Sequence, residues 1–515
     1  MDLVEESVRR RISARSEQLT ARYQLGAAVA QAEGSERMDG VAVAKRDGVS
    51  VEESWPVLLS GRNAVMLALV STGIGLHAFN QFAIVAAMPL AAAELGGTHL
   101  FSWAYGLYFI GSIAGGTAAA AFRDRAGLTA SMIISCLIFA VGGLAALAAP
   151  TFGFILAGRL LQGVADGLIV AIAYSLIPGN FRPGLIAKVF AAEAMVWAVA
   201  SVLGPLVGGW LTETFSWRIS FLAVGPFLLL LVVLTPIAKP ASSGQARVAV
   251  APFAIGLLIA GSLVLSLSSI TSMGLGQALA VVCGAALFVV AMVLDGRIGP
   301  KLLPPGAFQA KSVFGCGLWV LLLMSASHSV GAVYLALAIS EIWAYRPTIV
   351  GALVLLMALT WSVVAVFSSR NPSADRQDAR TRMGPLFLVV GFVAIAFGLT
   401  AHSIAMVVIS QILIGTGFGL AWANVNRAAL ADTPVDERDR AGALLPTVST
   451  AGYAIGAGLA GLVAMATGLV AKLESIAPDA ALVPSIALPS LWLYGLAAGG
   501  AGIAFLFSLG VKLPR

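Results

Sequence analysis

The chain has 515 residues, of which 59% are hydrophobic and only 11% charged, against roughly 45–50% and about 25% in ordinary soluble domains. That composition excludes a soluble globular fold. The formal charge of +6 sits in basic residues spaced between apolar runs, which argues against a nucleic-acid partner. Runs such as Leu228 to Leu234 lack the strict alternation of a membrane β-barrel, so helices must satisfy the backbone in hydrocarbon.

Residues 1–62 form a polar, charged tail without the apolar core of a signal peptide. Val4, Val8, Ile12, Leu19 and Tyr23 recur at helical spacing beside Arg9, Arg10 and Arg11. An amphipathic helix on the membrane surface and a partly disordered cytoplasmic tail both fit this pattern. Gly34 to Glu53 read as linker, and Trp55-Pro56-Val57-Leu58-Leu59 fits the headgroup layer.

Fourteen spans follow, at about 64–89, 101–122, 128–149, 152–178, 186–211, 217–238, 251–271, 276–295, 312–340, 347–369, 384–401, 403–425, 441–468 and 488–510. With the N-terminus inside, 27 of the 31 Lys and Arg fall in the tail or on inner loops; Arg218, Arg346 and Lys472 fall outside, and Arg159 lies within a span. That asymmetry predicts an even number of crossings with both termini cytoplasmic. The long inner connections 239–249 and 295–311 flank the seventh and eighth spans. Setting that pair aside leaves two six-helix bundles, 63–238 and 312–510, related as repeats around a central cavity, with 251–295 as an inserted hairpin.

Cys136, Cys283 and Cys316 lie inside apolar runs. An odd number without ligand spacing predicts buried hydrophobes rather than a disulfide framework or metal site, and no cofactor motif occurs.

Three motifs carry more specific information. Phe122-Arg123-Asp124-Arg125-Ala126-Gly127 is a charged turn between the second and third spans, able to form inter-helix charge pairs. The fourth span holds Arg159-Leu160-Leu161-Gln162-Gly163-Val164-Ala165-Asp166-Gly167. The fifth holds Gly204-Pro205-Leu206-Val207-Gly208-Gly209, where small residues allow close backbone approach. A guanidinium some two turns into a span needs a partner or a wet cavity, and Asp166 lies seven residues further, roughly 10 Å along the axis and near mid-bilayer.

In this order and on these spans the motifs resemble the major facilitator superfamily, specifically its fourteen-span drug:proton antiporter branch. Asp124, Arg125 and Gly127 match the family's first-loop motif, Arg159, Gln162 and Gly163 its fourth-span motif, and Gly204, Pro205, Gly208 and Gly209 its fifth-span motif, associated with exporters. The resemblance covers about residues 63–510 and is clearest in the first half. It implies alternating access, gating by the loop and fifth-span motifs, and a first and fourth span that face the central cavity.

The chain also departs from that pattern. Ala120 stands where the loop motif has Gly, and Leu128 and Thr129 replace its basic residues, with Arg123 a substitute for the lost charge. In the first span, His77-Ala78-Phe79-Asn80-Gln81 precedes Ala87-Met88-Pro89, placing Asn80 where the family has an acid. Asn carries no proton. Two carboxylates appear instead at Asp166 and Glu193, where burial favours taking up and releasing protons. The expected proton-coupling residues are Asp166 with His77, followed by Glu193, which is alternatively snorkelled or paired with Lys188, and His328. The last is near the repeat counterpart of Asn80 and is alternatively a packing histidine. Asn80, Gln81, Arg159, Gln162, Gln411, Trp422 and Asn424, with Asn426, are candidates for the cavity wall or for interhelical hydrogen bonds.

The sequence therefore predicts a secondary active transporter, monomeric in the cell membrane, that exchanges protons for amphipathic small molecules and exports them. A nutrient symporter or facilitator, and a transporter-like sensor using the tail, are the alternatives. No GxxxxGK[ST] loop, HExxH or GxSxG occurs, so ATP drive and enzymatic activity are not expected.

Overall fold

The computed structural model describes residues 55–512 except 240–251, 268–274, 296, 298–302, 305, 370–373, 435–436, 470 and 473–481. The readings of residues 1–54 lie outside the described residues. Trp55–Leu58 is a short helix with Trp55 exposed. Residues from Gly61 onward form a body of their own, and it is all-helical.

Its first part comprises α1 (Gly61–Ala83), α2 (Met88–Glu94), α3 (Phe101–Ala126), α4 (Leu128–Leu147), α5 (Phe152–Asn180), α6 (Pro183–Thr214), α7 (Trp217–Ser220) and α8 (Gly225–Ala238). Then come α9 (Pro252–Leu267) and α10 (Leu275–Leu294). The remainder is α11 (Val313–Val333), α12 (Leu335–Trp343), α13 (Pro347–Ser369), α14 (Ala374–Thr400), α15 (Ile404–Asp432), α16 (Arg438–Ala466) and α17 (Leu482–Ser508). Among the described residues, twelve helices are long and apolar enough to cross a membrane, and two shorter apolar stretches, Gly256–Leu265 and Leu279–Ala291, belong to α9 and α10. The protein is therefore a multi-pass membrane protein.

Element ends follow local chemistry. Pro89 within the first turn of α2 leaves no N–H for the preceding turn, so the first span passes through a 3₁₀ turn at Ile84–Ala86 and restarts. Pro183 opens α6 in the same way. The α3–α4 turn requires φ = +77° at Gly127, which explains the glycine of the charged motif. α14 begins at Ala374, ten residues before the apolar run starts at 384, because Asp375, Arg376, Asp378, Arg380 and Arg382 form polar helical turns that hydropathy alone does not register.

α5 packs along α3 and α4, and α1 along α6, α8 and α5. In the later part, α15 packs on α13 and α14, and α11 on α16 and α17. The two sets meet along α6/α13 and α3/α16, and α9 lies over the second of these seams. There Ile259 and Leu263 cover Ile110 and Ile113 of α3 and Ala451 and Ala454 of α16. At the end of the bundle away from Arg62, Arg125 and Lys239, the seam is tight. Phe101 stacks on Tyr334 at 5.6 Å, and the Thr348 N–H donates to the Glu213 carboxylate at 2.7 Å.

Glycine sets the closest contacts. A Cβ on Gly163 or Gly167 would collide with the carbonyls of Tyr108 or Ser112, and one on Gly208 with that of Ala83. Cys136 and Cys316 are buried as expected, whereas Cys283 on α10 is exposed. An apolar run in a membrane protein presents some of its side chains outward, and Cys283 is one of them.

Gly163→Val is expected to force α3 and α5 apart and cost about 1–3 kcal/mol. A thermal-unfolding midpoint in detergent well below the unmodified protein's checks this, and an unchanged midpoint would contradict it.

Candidate functional site

The Gly-lined contact between α3 and α5 places Asp166 in the interior with no exposed surface. Its Oδ2 lies 2.7 Å from His77 Nδ1 on α1, and Ser112 Oγ approaches the same oxygen at 3.4 Å. The other imidazole nitrogen, Nε2, meets Gln81 Nε2 at 2.7 Å one turn further along α1. Three polar groups thus run in line: amide, imidazole and carboxylate. Asp166 Oδ1 is buried without a hydrogen-bond partner, while the His77 side chain retains 18% exposure. The imidazole, in the middle of the line, is partly exposed, and the carboxylate at its end is dry.

Two turns away on α5, Arg159 is 3% exposed. Its Nε donates to the Ala104 carbonyl at 3.3 Å and its NH1 to Gln162 Oε1 at 3.0 Å. The guanidinium also lies 4.0 Å from the centroid of the Tyr108 ring. A cation–π contact in a low-dielectric interior offsets part of the desolvation cost of the charge. The Tyr108 hydroxyl stands beside Asn80 and Asp166 without meeting hydrogen-bond geometry, and Asn80 Nδ2 and Gln162 Nε2 are likewise buried and unpartnered. Asn80, Arg159 and Asp166 thus stand around one buried tyrosine, while the Gln162 side chain lies against Gly142 and Gly143 of α4.

Glu193 does not pair with Lys188: its Oε1 accepts from Ser71 Oγ of α1 at 2.8 Å, and its side chain is turned inward, with 3% exposure. Snorkelling is ruled out in this conformation.

His328 belongs to a different cluster. Its ring is 5.5 Å from Phe418 and 6.0 Å from Tyr453, with Trp361 and Trp422 beyond Phe418 at 4.9 and 5.7 Å. Tyr453 in turn stacks on Phe109 of α3 at 5.3 Å. Gln411 makes a long bond to the Val354 carbonyl at 3.4 Å. Asn424 is engaged by Arg427 NH2 at 3.0 Å, and Arg427 NH1 reaches Gln377 of α14 at 3.1 Å. Asn426 bonds back to the Trp422 carbonyl. Asn424 and Asn426 thus tie helices and turns together, and Trp422 belongs to an aromatic wall.

Asp124 and Arg125 are exposed and form no ion pair among the described residues; Arg123 instead donates to Ser175 Oγ at 2.9 Å. Gly204 and Gly208 meet α1 at Phe79 and Ala83, while Gly209 meets Thr348 and Pro205 meets Gly351 of α13. The fifth-span motif therefore faces two helices at once.

A profile of the Major Facilitator Superfamily matches residues 70–378. A probable multidrug-efflux transporter of Mycobacterium tuberculosis is 30% identical over 428 residues, covering 80% of this chain and 89% of its own length. The chain belongs to the Major Facilitator Superfamily. The multidrug efflux pump LfrA of Mycolicibacterium smegmatis is 26% identical, with coverage of 78% and 80%. Among solved structures, a POT family transporter, PepTSo, has TM-score 0.61 at 14% identity, covering 86% of this chain and 97% of that one. A D-xylose–proton symporter has TM-score 0.59 at 14% identity, covering 87% and 98%. At such identities the solved structures share the fold alone.

For a transporter of this superfamily, several residues at the site carry no sequence signal. Tyr108, Trp197, Trp361, Tyr453 and Ser71 are common residue types in apolar spans, and only the helix crossings bring Tyr108, Trp197 and Ser71 towards the buried acids and Trp361 and Tyr453 into the His328 cluster. Glu94 was equally silent. It holds Trp217 Nε1 and Arg218 NH1, each at 2.6 Å, at the end of the bundle opposite Arg62.

Removing the imidazole with His77→Ala leaves Asp166 Oδ2 without its near partner and is expected to cost about 1–3 kcal/mol of stability. Because the loss comes from an orphaned acceptor, His77→Ala/Asp166→Asn should cost less than the sum of the single changes. A double-mutant cycle by thermal unfolding measures the coupling, and strict additivity would refute it.

Proposed function

We propose that this protein is a proton-coupled exporter of amphipathic small molecules. The observation that carries the reading is Asp166, an acid without surface exposure and with one orphaned oxygen, bonded at 2.7 Å to a partly wet histidine of another span. A permanently ionised carboxylate there costs several kcal/mol. A proton that comes and goes through His77 relieves that cost in one conformational state, and the state that exposes His77 to the other side releases it. The multidrug-efflux relatives support export, and the Gly204–Gly209 face packed on α1 and α13 supplies the tight seam an exporter needs.

In this reading α9 and α10 are the seventh and eighth of fourteen spans, an inserted hairpin between six-helix bundles at 63–238 and 312–510. Both termini are cytoplasmic, the protein sits as a monomer in the cell membrane, and the end bearing Arg62, Arg125 and Lys239 faces the cytoplasm. The contacts Phe101–Tyr334 and Glu213–Thr348 then close the outer face, which corresponds to an inward-facing state ready to load cargo. His77, Gln81 and Trp197 offer one cavity wall, and His328, Trp361, Trp422 and Tyr453 the other. With one bond to Ser175 in place of charge pairs, the inner-loop motif acts as a weak latch.

In proteoliposomes with an imposed pH gradient, Asp166→Asn is expected to abolish gradient-driven movement of a substrate that the unmodified protein expels. Substrate counterflow without a gradient should persist at comparable rate. Retention of full gradient dependence in Asp166→Asn would remove the proposed coupling site.

A further inference from the structure

Two cations stand side by side where α1 begins and α8 ends. Arg62 is the second residue of α1 and Lys239 the first beyond α8, so each lies at the limit of an apolar span, at the depth of lipid headgroups. α1 and α8 pack along one another, and Arg62 NH2 donates to the Lys239 carbonyl at 3.3 Å. Among the described residues neither cation is in an ion pair. The first turn of α1 holds no acid, so the positive end of that helix adds to the two charges instead of offsetting them. Like charges held together at the edge of hydrocarbon favour an anion between them.

The space for one is present. A groove of about 330 Å³ runs between the two helix ends, with Arg62 and Lys239 at its rim and Val65 and Ile237 among its walls. Ile237 is 58% exposed, and Val233 and Leu230, four and seven residues before it, are exposed on the same face of α8. The groove therefore opens onto an apolar stripe that faces lipid. A second groove, of about 290 Å³ beside Cys316 and Phe507, has no charged residue in its lining. Of the two, the first alone suits an anion. The Arg62 guanidinium has five N–H donors, of which the Lys239 carbonyl takes one, and the Lys239 ammonium has three, a set matched to phosphate oxygens.

We propose that this groove binds the headgroup of an anionic glycerophospholipid, with Arg62 and Lys239 on the phosphate and the acyl chains along Ile237, Val233 and Leu230. A soluble phosphate shares the headgroup chemistry but has no chains to lay on the stripe. The site uses neither Asp166 nor a pH gradient, so it stands or falls apart from the coupling reading.

Native mass spectrometry of the detergent-purified full chain, titrated with dioleoyl phosphatidylglycerol or dioleoyl phosphatidylcholine, reads the first lipid bound. The unmodified protein should hold phosphatidylglycerol roughly tenfold more tightly, as two cations at a membrane surface allow. Arg62→Gln/Lys239→Gln should erase that preference and leave phosphatidylcholine binding unchanged. Arg376→Gln/Lys512→Gln, which removes the same charge from exposed positions elsewhere, should keep the preference, and millimolar inorganic phosphate should not displace the lipid. Equal affinity for the two lipids in the unmodified protein, or an equal loss in both double variants, overturns the proposal. Full displacement by inorganic phosphate also overturns it, by assigning the groove to a free anion. Should Arg62→Gln/Lys239→Gln fail to fold, Lys239→Gln alone decides, because its backbone carbonyl still receives Arg62; an undiminished preference there overturns the proposal.

Discussion

A carboxylate inside a bilayer has no water to turn to, so its surroundings must supply what water would. At Asp166 the supply is one imidazole, with a serine hydroxyl at longer range, and one oxygen is left over. Everything around it is arranged to allow that unusual placement. Gly163 and Gly167 bring α5 against α3 so closely that only hydrogen fits at their α-carbons, and His77 is delivered by the separate packing of α1 along α5. Arg159, two turns away, is held by the Ala104 carbonyl, Gln162 and the Tyr108 ring, so its charge reaches Asp166 as a field rather than as a salt bridge. A direct Arg–Asp pair would hold the carboxylate ionised, and Arg159 is engaged elsewhere.

The chemistry is unevenly divided along the chain. Buried acids occur on α5 and α6, whereas the described interior of α11, α13, α15 and α16 gathers His328 with Phe418, Trp361, Trp422 and Tyr453. Phe109 of α3 stacks on Tyr453, so the aromatic cluster abuts the acid-bearing helices rather than lying remote from them. An amphipathic cargo with a polar or charged end and an apolar body matches two such walls. The relatives' efflux names and the wall chemistry therefore point the same way from independent sources.

The membrane class, the family and the candidate acids were legible in the residues because hydrocarbon makes rare polar groups conspicuous. Asp166 stood out as a charge in an apolar run, and Asn80 as an amide where the family has an acid. What pairs with each acid was less legible. For Glu193 the sequence offered Lys188, close in number, but the structure gives Ser71, 122 residues away, because α1 and α6 cross there. For Asn424 the sequence left cavity wall and interhelical hydrogen bond both open, and the structure gives Arg427 and through it Gln377, a tie between α15 and α14. Tyr108 and Trp197 were invisible beforehand, since an aromatic residue in a span is ordinary until its neighbours are known. Boundaries failed where polar helix continues an apolar one: α14 starts in a run of arginines and aspartates that hydropathy reads as loop.

The central claim is that Asp166 holds an exchangeable proton. Infrared difference spectroscopy on the purified chain, stepped between acid and alkaline buffer, reads the carbonyl stretch of protonated carboxyl groups directly. A band that vanishes on the alkaline side in the unmodified protein and is missing from Asp166→Asn is the expected result. The same band persisting undiminished in Asp166→Asn would show that the proton resides elsewhere.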